Sequence, residues 1–148
     1  MTIKKLTDDV SVAPQVSLSD MRSLAALGFK AIISNRPDRE GADQPLFAEI
    51  ASAAQKLGLG AKYVPVTSGN ISDSDVVAFK AAIAGLPKPV LAYCKTGTRS
   101  ATLWSLAEAG QRPIADILAR TKNAGFDVSG LANRIEAARP IAKPKVAE

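Results

Sequence analysis

Short apolar runs alternate along this chain with helical stretches that stop at glycine, and that alternation narrows the fold before any single residue is considered. Val10 to Ala13, closed by Pro14, predicts an edge strand. Phe29 to Ser34, a β-branched run, Ala61 to Val66, and the short apolar Val90 to Tyr93 predict three more strands. Between them the spacing predicts helices from Ser17 as N-cap to Gly28, from Pro45 to Gly58, and from Ser72 to Gly85. Three further helices are expected over Ser100 to Ala109, Pro113 to Ala124 and Ser129 to Ala138. Strands that alternate with helices at short intervals build an α/β domain. The expectation is three layers, with a mostly parallel central sheet of four or five strands and about six helices. With 148 residues and no repeat or linker, it places one domain over 1–138 and a flexible tail over 139–148.

Composition removes several kinds of chemistry. The chain has no histidine, which excludes imidazole acid–base work, Ser-His-Asp and Cys-His catalysis, and histidine-ligated zinc. It has one cysteine, so an internal disulfide, a CxxC pair and a cysteine zinc cage are impossible. No metal and no cofactor are expected. A net charge of +5 favours anionic ligands. The basic residues are scattered and lack an aromatic stacking platform, which argues against nucleic acid. No apolar run approaches the roughly 20 residues needed to cross a bilayer. The first residues lack the apolar core of a signal peptide, so a soluble, cytoplasmic protein is expected. Nothing in the sequence specifies an oligomeric state.

The chemistry concentrates in Cys94-Lys95-Thr96-Gly97-Thr98-Arg99-Ser100. A strand delivers Cys94 to the carboxyl edge of the sheet, where α/β proteins place their sites. A turn containing Gly97 lets successive N–H groups point inward as an anion nest. The helix that follows adds the positive end of its dipole, and Arg99 offers a planar fork to an oxyanion. A thiol so placed is expected to ionise somewhere between ~3.5 and ~7.5, without any base. Ser100 is positioned to hydrogen-bond the sulfur. Lys95, Thr96, Gly97, Thr98 and Arg99 are the expected anion-binding residues, with Arg36 reaching in from the loop after the second strand.

Tyr93 to Ser100 resembles the active loop of single-domain rhodaneses, in which a cysteine carries a persulfide. From Leu6 to Ala138 the chain resembles the phosphatase-like domain of β-lactamase-hydrolase-like proteins, through Ile33-Ser34-Asn35-Arg36-Pro37-Asp38-Arg39-Glu40, Tyr63-Val64-Pro65-Val66 and Pro89 to Cys94. That family is also grouped with sulfurtransferases. The resemblance implies a protein-tyrosine-phosphatase-like fold similar to dual-specificity phosphatases, and a role in sulfide detoxification. Two departures from the phosphatase pattern matter. Tyr93 stands where tyrosine phosphatases carry histidine, and four residues rather than five separate cysteine from arginine. The loop Thr67-Ser68-Gly69-Asn70 offers no carboxyl as general acid. Asp38 is the candidate acid, with a turn role beside Pro37 as its alternative; Asp73 and Asp75 read as helix-capping residues.

The leading expectation is therefore sulfur transfer from thiosulfate or a persulfide to a thiol through a Cys94 persulfide. The alternative is a cysteine-dependent phosphatase that cleaves a phosphoester through a phosphocysteine. A third reading is an anion-sensing module without turnover.

Overall fold

The computed structural model describes residues 1–142, with side chains through 137. Five strands form one sheet in the order β1 (Lys4–Lys5), β2 (Val10–Ala13), β5 (Val90–Tyr93), β3 (Ala31–Ser34), β4 (Gly60–Tyr63). β2, β5, β3 and β4 run parallel, and β1 lies antiparallel against β2. The central parallel strands are buried along their whole length and apolar but for Ser11 and Ser34, as strands covered on both faces must be.

Alternation along β5 divides the core. Val90 and Ala92 face one apolar cluster with Val12, Ile33, Phe79, Leu103, Trp104 and Ile117. Leu91 and Tyr93 face the other, with Met21, Leu24, Ile32 and Ile50. The second cluster is roofed by α1 (Asp20–Ala26) and α2 (Phe47–Gln55). The first is covered by α3 (Asp73–Gly85), α4 (Thr98–Ala107), α5 (Ile114–Asn123) and α6 (Ala132–Ala142). The three layers, the mostly parallel sheet and the six helices follow the expectation.

Several boundaries differ, each for a physical reason. Val10–Ala13 is not an edge strand, because the two-residue β1 pairs with its free side. The expected strand over Ala61 to Val66 is regular only over Gly60–Tyr63; past it the register shifts, with the Val64 amide donating to Ser34 O at 2.9 Å and the Val66 amide to Asn35 O at 3.0 Å. Ser17 closes a turn before α1: its amide donates to Asp20 Oδ2 at 2.8 Å and its hydroxyl accepts from the Asp20 amide at 3.3 Å. The last helix is split into a 3-10 turn at Ser129–Leu131 and α6, whose backbone continues through residues 139–142 of the expected tail. The remaining tail residues, 143–148, lie outside the described residues.

The register aligns Ala13, Tyr93, Ser34 and Tyr63 at the carboxyl edge. Cys94 thus emerges from the middle of that edge, between the ends of β2 and β3. Among the described residues no helix is long and apolar enough to cross a membrane.

Candidate active site

β5 ends at Tyr93 and α4 begins at Thr98, so the loop is as short as its four intervening residues imply. Gly97 takes φ +95°, a left-handed conformation that only glycine adopts cheaply. This turns its N–H onto Cys94, and the Gly97 amide donates to Sγ at 3.0 Å. The Cys94 side is tied to β2: its own amide donates to Ala13 O, and the Gln15 amide donates to Lys95 O, both at 3.3 Å. Cys94 is buried, but its sulfur faces the Gly97 amide and the Arg99 guanidinium rather than apolar neighbours alone. Lys95, Thr96 and Thr98 are exposed at the mouth, with Thr96 Oγ1 donating to Thr98 Oγ1 at 3.1 Å.

Arg99 sits in the first turn of α4, buried beside the sulfur. Its fork is already engaged. Nη1 and Nη2 donate to Glu40 Oε2 and Oε1 at 2.8 and 2.7 Å, and Nη1 also donates to Val66 O at 3.0 Å. Arg36 Nε donates to Glu40 Oε1 at 2.9 Å, and Arg36 Nη1 reaches Gln15 Oε1 at 3.1 Å. Glu40 therefore joins two buried arginines. Hydrogen bonding to Arg99, supported by Arg36 and opposed by partial burial, holds its pKa down at about 2. The same pair pushes Arg99 up from its ordinary value; burial opposes this, and the Cys94 sulfur adds to the rise. Tyr93, in the position before the cysteine, is pushed up to about 12 by burial, so it stays neutral.

The turn that returns Glu40 to Arg99 has two special backbone positions. Arg39 takes φ +64°, and a side chain on Gly41 would meet Arg36 Nη2 at 2.6 Å. Glu40, Gln15 and Asn35 were not singled out from sequence. The signal for Glu40 was its place four residues after Arg36 in a stretch dense with charge, where buried guanidinium groups need a counter-charge.

Other expected site residues take different partners. Ser100 is fully buried, and its only proton goes to Asn35 Oδ1 at 2.7 Å instead of to the sulfur. Asn35 in turn donates to Val64 O at 2.9 Å, so this pair pins the start of α4 to the ends of β3 and β4. Asp38, the candidate acid, accepts the Phe47 amide at 2.8 Å and caps α2, while its own amide donates to the Tyr63 hydroxyl at 2.9 Å. Asp75 forms the capping box of α3 with Ser72, and Asp73 pairs with Arg134 at 3.2 Å. Arg36 joins the site through Glu40. Among the described residues no group of three or more Cys, Asp or Glu side chains converges as a metal site would require.

The family model of the beta-lactamase hydrolase-like protein, phosphatase-like domain, matches residues 2–111. The chain belongs to this family. Within it, the chain is 36% identical to the beta-lactamase hydrolase-like protein of Agrobacterium fabrum, over 92% of its own length and 32% of the relative's. It thus spans about a third of the length of the curated relatives it matches. A candidate phosphatase of known structure from Neisseria meningitidis is 39% identical, with a TM-score of 0.83 over 94% of this chain and 99% of that one. The catalytic core of the PP-IP phosphatase of S. cerevisiae, solved with citrate, shares the fold at 15% identity, with a TM-score of 0.67 over 92% and 84% of the two chains. The phosphatase-like domain fold, expected from resemblance, is thereby established.

Proposed function

We propose that this phosphatase-like domain is a cysteine-dependent hydrolase of small anionic phosphoesters. The observation that carries the reading is the Gly97 amide on Cys94 Sγ at 3.0 Å, with Arg99 in the first turn of the next helix. The Cys94 thiolate attacks phosphorus, the bond from phosphorus to the leaving oxygen breaks, and that oxygen departs with the electron pair. Loop amides and Arg99 balance the charge gathering on the phosphoryl oxygens. Water then attacks the phosphocysteine, phosphate leaves, and the thiolate returns.

The engagement of the candidate carboxylates supports a class of substrates. Glu40 is ionised down to about pH 2, and Asp38, Asp73 and Asp75 hold helix starts or an arginine. Such groups suit leaving groups that depart as stable anions, such as an aryl oxide or the phosphate half of an anhydride. The phosphatase names of the structural neighbours and the citrate bound to one of them support an anionic ligand.

Sulfur transfer, the leading expectation from sequence, becomes the second reading, since the comparisons favour phosphatases. The four-residue loop and the engaged carboxylates still favour it, because sulfite leaves thiosulfate without a proton. Intact mass separates the two. Incubation with an aryl phosphate and acid quench should leave an adduct of about 80 Da. Thiosulfate should leave one of about 32 Da if the second reading holds. Cys94→Ser abolishes either adduct. A persulfide formed without any phosphate release would reverse the order of the two.

A further inference from the structure

The loop that carries Cys94 is held on one side by hydrogen bonds to the end of β2. Its other side meets an aromatic ring from a distant part of the chain. A methyl placed on Gly97 would lie 2.9 Å from Phe126 Cζ, 3.2 Å from Cε1 and 3.5 Å from the carbonyl carbon of Ala13. The ring edge of Phe126 and the end of β2 therefore close the space beside the Gly97 Cα. Phe126 lies past the residues matched by the family model and follows α5. Its placement is firm. Gly125 takes φ +96°, the Phe126 amide donates to Thr121 O at 2.8 Å, and the half-buried ring packs against the first apolar cluster.

Glycine is the residue whose flanking peptides rotate most freely, and here one such peptide supplies the amide on the sulfur. Lys95, Thr96 and Thr98 are exposed and cannot hold it by packing. The ring of Phe126 and the end of β2 fill the side of Gly97 toward which a side chain would project, and so limit how far its backbone can shift.

We propose that Phe126 is a positioning residue for Cys94, its ring holding the Gly97 amide on the sulfur. The proposal rests on Cys94 as nucleophile, and on neither the phosphatase nor the sulfur-transfer reading in particular. Cys94 is the only cysteine, so its alkylation by iodoacetamide can be followed without interference or any turnover assay.

For Phe126→Ala, alkylation at about pH 7 should slow by about tenfold, roughly what a hydrogen bond to a charged group is worth. In denaturing urea, where the loop no longer acts on the sulfur, the variant should match the parent. Phe126→Met, which can reach Gly97 with a flexible chain, should recover most of the loss. If Phe126→Ala does not fold, Phe126→Leu is read the same way, since it keeps apolar bulk but lacks the ring atoms nearest Gly97. An unchanged rate at pH 7 in a folded variant overturns the proposal. So does faster alkylation of the folded variant, which would make the ring a mere cover over the sulfur. Failed turnover with the alkylation pattern intact would instead count against the function proposed above and leave this assignment standing.

Discussion

Replacing Glu40 by glutamine tests whether one carboxylate holds the arginine side of the site. Glu40 ionises at about 2 instead of 4.5. At about 1.4 kcal/mol per unit, that difference would be worth about 3.5 kcal/mol if fully sheltered. The Glu40 side chain is 29% exposed, and screening reduces the figure to about 1.5 kcal/mol. Against that, Arg36 and Arg99 keep their charges with side chains only 9% and 8% exposed, and they would face each other without a counter-charge. Together these predict a loss of about 2 kcal/mol near neutrality, or about 4–8 °C in melting temperature for a chain of this size. The sign with pH follows from a depressed carboxylate. Its stabilisation is complete above its unfolded pKa of about 4.5 and disappears as pH falls through about 2. Urea unfolding of both proteins from about pH 6 to about pH 2.5 should therefore show a gap that narrows steadily below about pH 4.5. Asp8, Asp116 and Asp127 are also lowered, but they are common to both proteins and cancel in the difference. A gap that stays constant over the range, or never exceeds about 0.5 kcal/mol, refutes the reasoning.

Gly97→Ala should lose Cys94 reactivity and about 1–3 kcal/mol of stability, because a methyl at φ +95° meets the Phe126 ring; alkylation rate and melting temperature check both. Ser100→Ala leaves the buried Asn35 carbonyl without its donor, so about 1–3 kcal/mol should disappear in urea unfolding while the alkylation rate of Cys94 changes less than twofold. Asp38→Asn keeps an oxygen for the Phe47 amide, so it should cost at most about 0.5 kcal/mol and leave the pH–rate profile for an aryl phosphate unmoved; loss of its basic limb would instead make Asp38 the proton donor.

What was legible in the sequence was local. β5 runs over Val90–Tyr93 as its apolar run predicts, and α3 begins where Ser72 and Asp75 form their capping box. Gly97, Cys94 and Arg99 come together because strand, turn and helix are consecutive, so chain order alone carries them into one loop. The supports of that loop were not legible. Glu40 and Arg99 are 59 residues apart, Asn35 and Ser100 are 65 apart, and Phe126 reaches Gly97 from beyond α5. Each arrives through the order of strands in the sheet, which periodicity does not reveal. Ser100 was misjudged for the same reason: a hydroxyl has one proton, and which acceptor takes it depends on a residue brought in by β3. The two-residue β1 is too short to leave any pattern.

These long-range supports also bear on how the site acts. An arginine on an open loop would spend binding energy settling into position each time an anion arrived. Arg99 is instead fixed beforehand by Glu40 and Val66 O, and Glu40 is itself braced by Arg36. The Gly97 amide is already on the sulfur. Donors fixed before the reaction cost no reorganisation during it, which is where electrostatic catalysis gains most. The arrangement also has a consequence for chemistry. Glu40, the carboxylate that holds Arg99, can hold it only while ionised, and so cannot also give a proton to a leaving group. Under the proposed hydrolysis, a site organised this way would gain rate from stabilising charge and leave departure to the substrate. The rate of cysteine adduct formation should therefore depend more steeply on leaving-group acidity than on pH.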